Sequence, residues 1–405
     1  MKSATQKAHI RPVHPFPARM APSIVWDALP KTGDPLKILD PMSGSGTTLV
    51  CARSIGHRAI GFDTDPLALL IARAWCADTD TGNLKALAAL VLERARILSK
   101  RLTRRTAYPE NTDDETRRFI DFWFDQENRR QLSALAICIS GVNSPVERIL
   151  LWCAFSRMVI TKTFGVSLAM DVSHSRPHKV YDVAPVKPFE IFHKAVSTVA
   201  SSCPFTVKPN NAPTANIGYG DARALPLPSG SVDMVITSPP YLNAIDYLRG
   251  HKLSLVWMGH KISEIRAIRS RNIGTEVLKK STSNEAILEA MKAMADLEIL
   301  DNRRQGMLRH YVWDMNKVIG ECARVLNRKG RAVFVVGDSA IRGVFTKNSE
   351  ALIRLAVGHG FSLYSRDTRP IETKRRYLPP PESNRAGDKM QGRMRTEVIL
   401  EFRTY

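Results

Sequence analysis

The stretch LKILDPMSGSGTTLVCARSIG, residues 36–56, constrains the fold of this chain more than any other. Leu36–Leu39 is a short apolar run enclosed by two Asp-Pro pairs, which is typical of a buried parallel strand. Gly44 and Gly46 then allow the backbone to turn tightly and leave room for a ligand beside the main chain. A helix is predicted over residues 47–54. A strand, a glycine turn and a helix in succession are the opening of a doubly wound, Rossmann-like α/β sheet.

The alternation of strands and helices continues after this turn, is interrupted, and then resumes. A second strand is predicted to end at Asp63, and a second helix to begin near Pro66. From there the chain shows helical periodicity only, over a length that is too great for a loop. We therefore predict one α/β domain formed by residues 1–75 and 216–405, with a large helical insertion over residues 76–215.

The second half of the chain supplies the remaining strands. VDMVIT, residues 232–237, reads as a buried strand, and GRAVFVVGD, residues 330–338, as another that is introduced by a helix. The last two predicted strands, residues 361–371 and 396–402, are joined by a polar loop that contains residues 374–395. Because no helix separates these two strands, we expect them to form an antiparallel hairpin at the edge of the sheet.

The charge of the chain indicates a polyanionic partner. The formal net charge is +20 over 405 residues, and each Lys or Arg that meets a phosphate group adds affinity by releasing a counterion. Part of this charge lies in residues 250–309, a basic segment that is predicted to be helical in part. Charge alone also fits a basic protein without a nucleic-acid substrate, and a single charge in this segment fits a solvated helical face.

Cysteine usage and the N-terminus indicate the compartment. The six cysteines are scattered, with no Cys-x-x-Cys pair and no His at ligand spacing, which predicts a reducing environment and no zinc site. The N-terminal sequence MKSATQKAHIRPVHPFPARM has no apolar core of a signal peptide, and the chain has no apolar run of membrane-spanning length. We predict a cytoplasmic protein that binds neither a membrane nor a metal ion.

The acids that follow the glycine turn indicate the cofactor. The third glycine of a dinucleotide fingerprint is missing, as is a Gly-Lys-Ser/Thr phosphate loop, so neither NAD nor ATP is expected. Asp63 is placed to accept both hydroxyl groups of a ribose, although it could instead cap the next helix. Asp221 is placed to meet an adenine amino group, or else is a turn residue. With Asp40, these acids suit an adenosyl ligand without pyrophosphate, which favours S-adenosylmethionine.

The stretch ITSPPY, residues 236–241, ends a buried strand on two prolines, which offer carbonyl acceptors but no N–H donors. The amino group of a nucleobase is a poor nucleophile, because its lone pair is delocalised into the ring. The Ser238 hydroxyl and the Pro239 carbonyl can accept its two hydrogens and direct the lone pair at a methyl donor. Tyr241 offers an aromatic face for an extruded base. The alternative is a proline-rich turn without chemistry.

These motifs carry a resemblance to a known family. LDPMSGSGTT followed by TSPPY resembles the amino-group DNA methyltransferases, in which a cofactor loop of the D-P-F-x-G-x-G type is paired with a (D/N/S)-P-P-(Y/F/W) motif. The serine form of that motif is most typical of cytosine-N4 members. HPFPARM, residues 14–20, resembles the segment that holds the methionine end of the cofactor. PPYLNAIDYLRGHKLSLVWMG resembles bacterial modification methylases with a D-Y-x-x-x-H-x-L helix.

The resemblance implies a Rossmann-like methyltransferase sheet, S-adenosyl-L-methionine as the cofactor and DNA as the partner. It does not identify a restriction endonuclease partner. Met42 departs from the family, which usually has an aromatic residue at this position. The implied catalytic residues are Ser238, Pro239, Pro240 and Tyr241. The implied cofactor-binding residues are Phe16, Pro17, Asp40, Met42, Gly44, Gly46, Thr47, Thr48, Asp63, Asp221 and Ala222.

We expect the insertion over residues 76–215, as a candidate DNA and target-recognition subdomain, to recognise the target together with the basic segment over residues 250–309. A loop at the end of the insertion is a candidate for a DNA contact. DVSHSRPHKVYD, residues 171–182, groups histidines and cations around a proline, and we interpret it as a loop that contacts phosphate or base near the active site. A polar connector is the alternative. The residues predicted to contact DNA are His174, Arg176, His178, Lys179, Arg249 and His251.

Several other functions compete with methylation at cytosine N4. Methylation at adenine N6 uses the same acceptor geometry and is the nearest alternative, followed by methylation of an RNA base and by a DNA-binding relative without activity. Methylation at cytosine C5 needs a thiolate that is usually presented as Pro-Cys, and base deamination needs a His-x-Glu and Pro-Cys-x-x-Cys zinc set. The sequence contains neither motif.

Overall fold

The computed structural model describes residues 10–17, 19–205, 214–242, 246–273, 285–341, 344–371 and 396–404. The predicted polar loop over residues 374–395 and part of the basic segment, residues 274–284, lie outside the described residues.

The described chain contains two kinds of regular element. The strands are β1 (Lys37–Asp40), β2 (Arg58–Asp63), β3 (Ala169–Met170), β4 (His178–Lys179), β5 (Ala215–Tyr219), β6 (Val232–Thr237), β7 (Leu326–Val336), β8 (Ser339–Ile341), β9 (Val344–Thr346), β10 (Phe361–Pro370) and β11 (Thr396–Thr404). The helices are α1 (Pro22–Ala28), α2 (Thr47–Ser54), α3 (Pro66–Trp75), α4 (Thr81–Ser99), α5 (Asp114–Trp123), α6 (Gln126–Ser140), α7 (Pro145–Val159), α8 (Pro188–Ser202), α9 (Leu248–Leu255), α10 (Ile262–Arg269), α11 (Glu285–Met294), α12 (Asn302–Val325) and α13 (Asn348–Gly358), with short 3₁₀ helices at Val172–His174 and Val256–Met258.

Seven strands form the central sheet in the order β10-β11-β7-β6-β1-β2-β5. The five strands β7, β6, β1, β2 and β5 are parallel to one another, whereas β11 is antiparallel to both β7 and β10. This is the Rossmann-like methyltransferase sheet with an antiparallel edge hairpin that the sequence predicts. The large helical insertion is also present, since α4 to α8 lie between β2 and β5 in the chain.

Aspartate caps set the starts of several helices. In each case the carboxylate accepts a hydrogen bond from a backbone N–H of the first turn, which otherwise lacks a partner. These caps are Asp65 on α3, Asp80 on α4, Asp113 on α5, Asp125 on α6 and Asp301 on α12.

The central strands β6 and β7 are buried on both faces, and their residues alternate between two hydrophobic cores. In β7, Val333 and Val335 belong to one core, whereas Phe334 and Val336 belong to the other. The first core also contains residues of α2, α3 and the insertion, and the second contains residues of α11, α12 and α13. Because successive side chains of a strand point to opposite faces, a doubly covered strand reads as a continuous apolar run.

The insertion shares its core with the helices that follow the SPPY motif. Trp257 is 2% exposed and packs edge-on against Phe124 at 5.1 Å between ring centroids, and its ring lies 6.4 Å from that of Phe155. The insertion is therefore packed into the α/β domain and is not tethered to it by a linker.

Two further features complete the described fold. The short β8–β9 hairpin directly after β7 was not predicted, because three-residue strands are too short to show a periodicity. Within the described ranges, none of the helices is both long and apolar enough to cross a bilayer.

We predict that Trp257→Ala lowers the free energy of unfolding by about 3 to 5 kcal/mol, because it removes a large side chain from the shared core. Phe345→Ala is the control, since Phe345 is 54% exposed on β9 and should change stability little. Urea unfolding followed by circular dichroism measures both variants. Equal stability of the two variants would contradict a core that joins the insertion to the α/β domain.

Candidate active site

The site lies where the strand order of the sheet reverses. β1 and β6 are parallel neighbours, but the chain continues from β1 toward β2 on one side and from β6 toward β7 on the other. Such a reversal leaves a crevice at the carboxyl ends of the two strands. Asp40 ends β1, Thr237 ends β6, and the Thr237 hydroxyl donates a hydrogen bond of 2.7 Å to Asp40 Oδ1. The glycine turn and the SPPY motif therefore begin side by side.

The glycine turn needs its glycines for different reasons. Gly44 and Gly46 have φ values of +49° and +89°, a region that L side chains rarely adopt. A Cβ on Gly46 would also lie 2.9 Å from the Cβ of Ala72 on α3. The Gly44 N–H donates a hydrogen bond of 2.8 Å to Asp63 Oδ2, which ties the turn to the end of β2. The turn is thereby held close to helix α3 and to the end of strand β2.

Two carboxyl groups flank this turn, that of the buried Asp40 and that of the half-buried Asp63. Burial raises the pKa of Asp40 to about 6, although hydrogen bonds from Thr237 and Thr48 oppose the shift. Burial, with a smaller contribution from the Asp65 carboxylate, raises the pKa of Asp63 to about 6. Asp63 does not cap α3, because that position is taken by Asp65, which accepts a hydrogen bond of 2.9 Å from Leu67 N. The helix-cap alternative for Asp63 is therefore wrong.

Asp221 lies next to Asp63 at the end of β5, since Gly220 N donates a hydrogen bond of 3.2 Å to Asp63 O. The Asp221 carboxylate accepts hydrogen bonds from the Arg223 guanidinium at 2.9 and 2.7 Å and from Arg223 N at 2.9 Å. Arg223 also donates to the fully buried Asp314 at 2.8 Å. Ala222 between them is 3% exposed. Asp221 thus has the geometry of a turn residue, which is the alternative to a contact with adenine. It nevertheless lies next to Asp63, where the adenine contact is predicted.

The segment before β1 covers the glycine turn. Phe16 is 8% exposed, and its ring edge lies 3.6 Å from where a Cβ on Gly44 would be. Its ring stacks on Tyr247 with 5.6 Å between centroids and is tilted against His251 at 5.2 Å. Pro17 is also buried. The structure therefore places this segment against the turn, next to the start of α9.

His251 does not lie on the DNA-contacting surface predicted for it. It is 1% exposed, and its Nδ1 lies 2.5 Å from Asp65 Oδ2. The spacing of four residues from Tyr247 places both rings on the inner face of α9, where they hold Phe16. The assignment of His251 as a DNA contact is wrong in this structure because its side chain faces the core.

The SPPY motif directly follows β6, and its serine is fixed by the neighbouring strand. The Ser238 hydroxyl donates a hydrogen bond of 2.9 Å to the Val335 carbonyl of β7. Pro239 is buried, whereas Pro240 and Tyr241 are half-buried. Burial raises the pKa of the Tyr241 phenol above its usual value, so the phenol stays neutral into the alkaline range.

The loop over residues 171–182 packs close to the start of α9. Ser175 Oγ donates a hydrogen bond of 3.3 Å to the Tyr247 carbonyl. His174 and His178 lie beside Asp171 at 3.5 and 4.0 Å. Arg176 and Lys179 are exposed, as is Arg249, which pairs with Asp246 at 3.8 Å. Five of the six residues predicted to contact DNA are therefore exposed or half-exposed.

A cofactor with several polar groups fits this crevice. The Ser43 hydroxyl in the glycine turn is buried and has no hydrogen-bond partner among the described residues. Thr47 and Thr48 are buried at the start of α2, where Thr48 Oγ1 donates to the Ile236 carbonyl at 3.2 Å. Met42 is half-buried and packs against the second core. The described part of the chain contains no group of three or more His, Cys, Asp or Glu side chains that could hold a metal ion.

Sequence reasoning missed several residues that shape the site. Asp65 could have been found from its position directly before Pro66, which is a common start of a helix. Thr237 and Arg223 carry no such signal, because their contacts join segments that are far apart in the chain.

Comparisons with known proteins agree with this geometry. No protein-family model matches the chain. The chain is similar to a Type II methyltransferase of Kocuria varians, M.MvaI, with 24% identity over 442 residues that cover 100% of this chain and 92% of the relative. It is similar to a Type II methyltransferase of Geobacillus stearothermophilus, M.BsoBI, with 26% identity over 277 residues, 60% of this chain and 51% of the relative.

A solved structure, that of a SAM-dependent methyltransferase from Methanosarcina mazei, matches 94% of this chain and 96% of its own at 9% identity with a TM-score of 0.33. The fold assignment therefore rests on the strand order described above. The chain is related to Type II methyltransferases, and this relationship and the fold imply S-adenosyl-L-methionine as the cofactor.

We predict that Asp40→Asn stabilises the protein at pH 7.5 and leaves its stability nearly unchanged near pH 4. The folded protein keeps a proton on Asp40 up to about pH 6, whereas the unfolded chain releases it near 3.8. Folding of the wild type therefore becomes less favourable as the pH rises through this window, by up to about 3 kcal/mol. Asparagine has no charge to bury, and its Oδ1 can still accept from Thr237.

Urea unfolding at a series of pH values measures the difference between the two proteins. Asp233→Asn, at the opposite end of the neighbouring strand β6, is the matched control. A stability gain that does not change with pH would show that burial of the Asp40 charge is not its cause.

Proposed function

We propose that the chain is an S-adenosylmethionine-dependent DNA methyltransferase that modifies the exocyclic amino group of a base, at N4 of cytosine. The observation that carries this proposal is the hydrogen bond from the Ser238 hydroxyl to the Val335 carbonyl. It engages the only proton of the hydroxyl, so that the oxygen can act only as an acceptor. A hydroxyl oxygen has two acceptor sites, which can receive the amino hydrogens of a substrate.

The residues beside Ser238 suit the same chemistry. Pro239 offers a carbonyl acceptor from a backbone whose φ is fixed, and neither proline brings an N–H that could compete for it. Two acceptors that receive hydrogen bonds from an amino group localise the nitrogen lone pair. Acceptors that are already in place need no reorganisation during the reaction, which makes their contribution large.

Tyr241 would stack on a target base that has flipped out of the DNA duplex. Stacking on an aromatic side chain contributes about 1 to 3 kcal/mol per base. It offsets part of the few kcal/mol that unpairing and unstacking cost. The phenol is neutral at physiological pH, and burial raises its pKa further, so the ring can approach a base without placing a negative charge beside it.

The opposite side of the crevice suits the cofactor. When bound, S-adenosylmethionine supplies an electrophilic methyl group on its sulfonium centre. Asp63 would accept hydrogen bonds from the ribose hydroxyls and Asp221 from the adenine amino group, while the backbone of Gly44 and Gly46 leaves room for the ligand. Phe16 and Pro17 would cover the methionine end.

Serine in the SPPY motif favours cytosine N4 over adenine N6, and nucleoside analysis tests this choice. Purified protein is incubated with DNA and methyl-labelled cofactor, with RNA as a parallel substrate, and the digested nucleosides are identified by mass spectrometry. We expect label in N4-methylcytosine. Label in N6-methyladenine would support the mechanism but show that adenine, and not cytosine, is the target base. Label in RNA alone or in neither polymer would overturn the proposal.

Replacement of Ser238 tests the mechanism. We expect Ser238→Ala to lower turnover by about 10²- to 10³-fold through loss of one preorganised acceptor, with little change in cofactor affinity. Asp63→Ala should instead weaken cofactor binding more than it lowers turnover at a saturating cofactor concentration. Ser231→Ala, directly before β6, is the control for Ser238 and should retain full turnover. Single-turnover rates and calorimetry separate the two effects, and normal turnover of Ser238→Ala would refute the catalytic assignment.

A further inference from the structure

The insertion contains a second cleft that is distinct from the crevice of the active site. Its volume is about 710 Å³, and it is formed by α5 and the segment before that helix. Its cationic and aromatic lining consists of Arg104, Arg105, Tyr108, Arg117 and Arg118. We call this the arginine cleft.

The arginine cleft has an excess of positive charge. None of its four arginines forms an ion pair with any residue that the structure describes. Two carboxylates, Asp114 and Asp121, also line it. Asp121 is already engaged, because it pairs with the buried Arg129 and accepts a hydrogen bond of 2.8 Å from the Tyr108 hydroxyl. Asp114 alone is left to oppose the four guanidinium groups.

Tyr108 makes the floor of the arginine cleft rigid. Arg129 donates a hydrogen bond of 3.1 Å to the Tyr108 hydroxyl and another of 3.2 Å to the Arg104 carbonyl. The guanidinium carbon of Arg129 lies 4.8 Å from the centre of the Tyr108 ring, and that of Arg117 lies 5.4 Å from it. These contacts join α5, α6 and the segment before α5, so the cleft needs little ordering before it binds a ligand.

The wall of the arginine cleft is continuous with the elements that follow the SPPY motif. Thr116 of α5 accepts a hydrogen bond of 3.1 Å from Ile262 N at the start of α10, and Glu115 pairs with Arg266 of the same helix. The Lys252 ammonium of α9 lies 5.1 Å from the centre of the Phe119 ring of α5. Helix α5 therefore connects the cleft to the helix that begins just after the catalytic motif.

The far end of α5 meets the loop over residues 171–182. Phe122 is 52% exposed, and the Lys179 ammonium lies 5.3 Å from the centre of its ring. One helix thus joins the arginine cleft, the proposed DNA-contacting loop and the start of α10.

We infer that the arginine cleft binds the phosphate backbone of the DNA outside the target base. This inference rests on the proposed function, since it assumes that DNA is the substrate. Guanidinium groups are planar forks that match phosphate oxygens in pairs. Because α5 contacts both α9 and α10, a duplex that extends from the catalytic motif along these helices would bring its flanking backbone to the cleft. The contact positions the duplex without reading its sequence.

The salt dependence of DNA binding tests the inference on the full-length protein. We compare wild type with Arg117→Ala/Arg118→Ala, using fluorescence anisotropy of a labelled duplex over a series of salt concentrations. Each lost phosphate contact should lower the slope of log affinity against log salt by about 0.9. We expect a slope smaller by about 1.8 and the same loss of affinity on unrelated duplex sequences.

Two further double variants control for charge and for folding. Arg94→Ala/Arg96→Ala removes two exposed cations from α4, outside the cleft, and should leave the slope unchanged. Arg117→Lys/Arg118→Lys keeps both charges and should restore most of the slope. Arg104 and Arg105 lie outside any helix. Arg104→Ala/Arg105→Ala should show the same decrease in slope, which keeps the test valid if the α5 variant is unstable.

The outcomes separate this inference from the proposed function. An unchanged slope in both alanine variants of the cleft, an equal loss in the α4 control, or a loss on RNA but not on duplex DNA would each overturn the inference. If wild type methylates DNA while any of these results holds, only the cleft assignment fails. If wild type neither binds nor methylates DNA, the proposed function fails and the inference fails with it.

Discussion

The candidate active site depends on the parallel pairing of β1 with β6. Ile38 and Leu39 pair with Met234 and Val235, and this register brings Asp40 beside Thr237 at the carboxyl ends of both strands. Parallel strands whose chains depart in opposite directions leave a crevice that no crossover helix fills. The glycine turn and the SPPY motif, which are about 200 residues apart in the sequence, thereby become neighbours.

This geometry places acidic groups where they disfavour folding. The raised pKa values of Asp40 and Asp63 show that the surrounding protein disfavours their charged forms, and hydrogen bonds from Thr237 and Gly44 offset only part of that cost. Asp65, two residues further on, has a different role, because it caps α3 and holds His251. Buried acids that cost stability are expected where a site is shaped for a ligand rather than for folding.

The sequence predicts the local elements well and their mutual contacts poorly. The strand, glycine turn and helix from residue 37 to residue 54 follow from apolar runs and from turn residues, which are local properties. The inward orientation of His251 does not follow, because it depends on which face of α9 packs against Phe16. The Arg223 bridge between Asp221 and Asp314 is equally hidden, since it joins residues 91 positions apart. Periodicity identifies an element, but only the packed structure identifies the partner of each face.

The position of the insertion explains how one chain can combine catalysis with a broad basic surface. It enters the fold between β2 and β5, so its ends lie beside the strands that carry Asp63 and Asp221. Its helix α5 returns to α9 and α10, which follow the SPPY motif. The insertion and the helices after the SPPY motif thus share one core through Trp257. Because phosphate contacts position a duplex while base contacts specify it, such a link would let the proposed backbone contacts determine where the proposed target base meets Ser238.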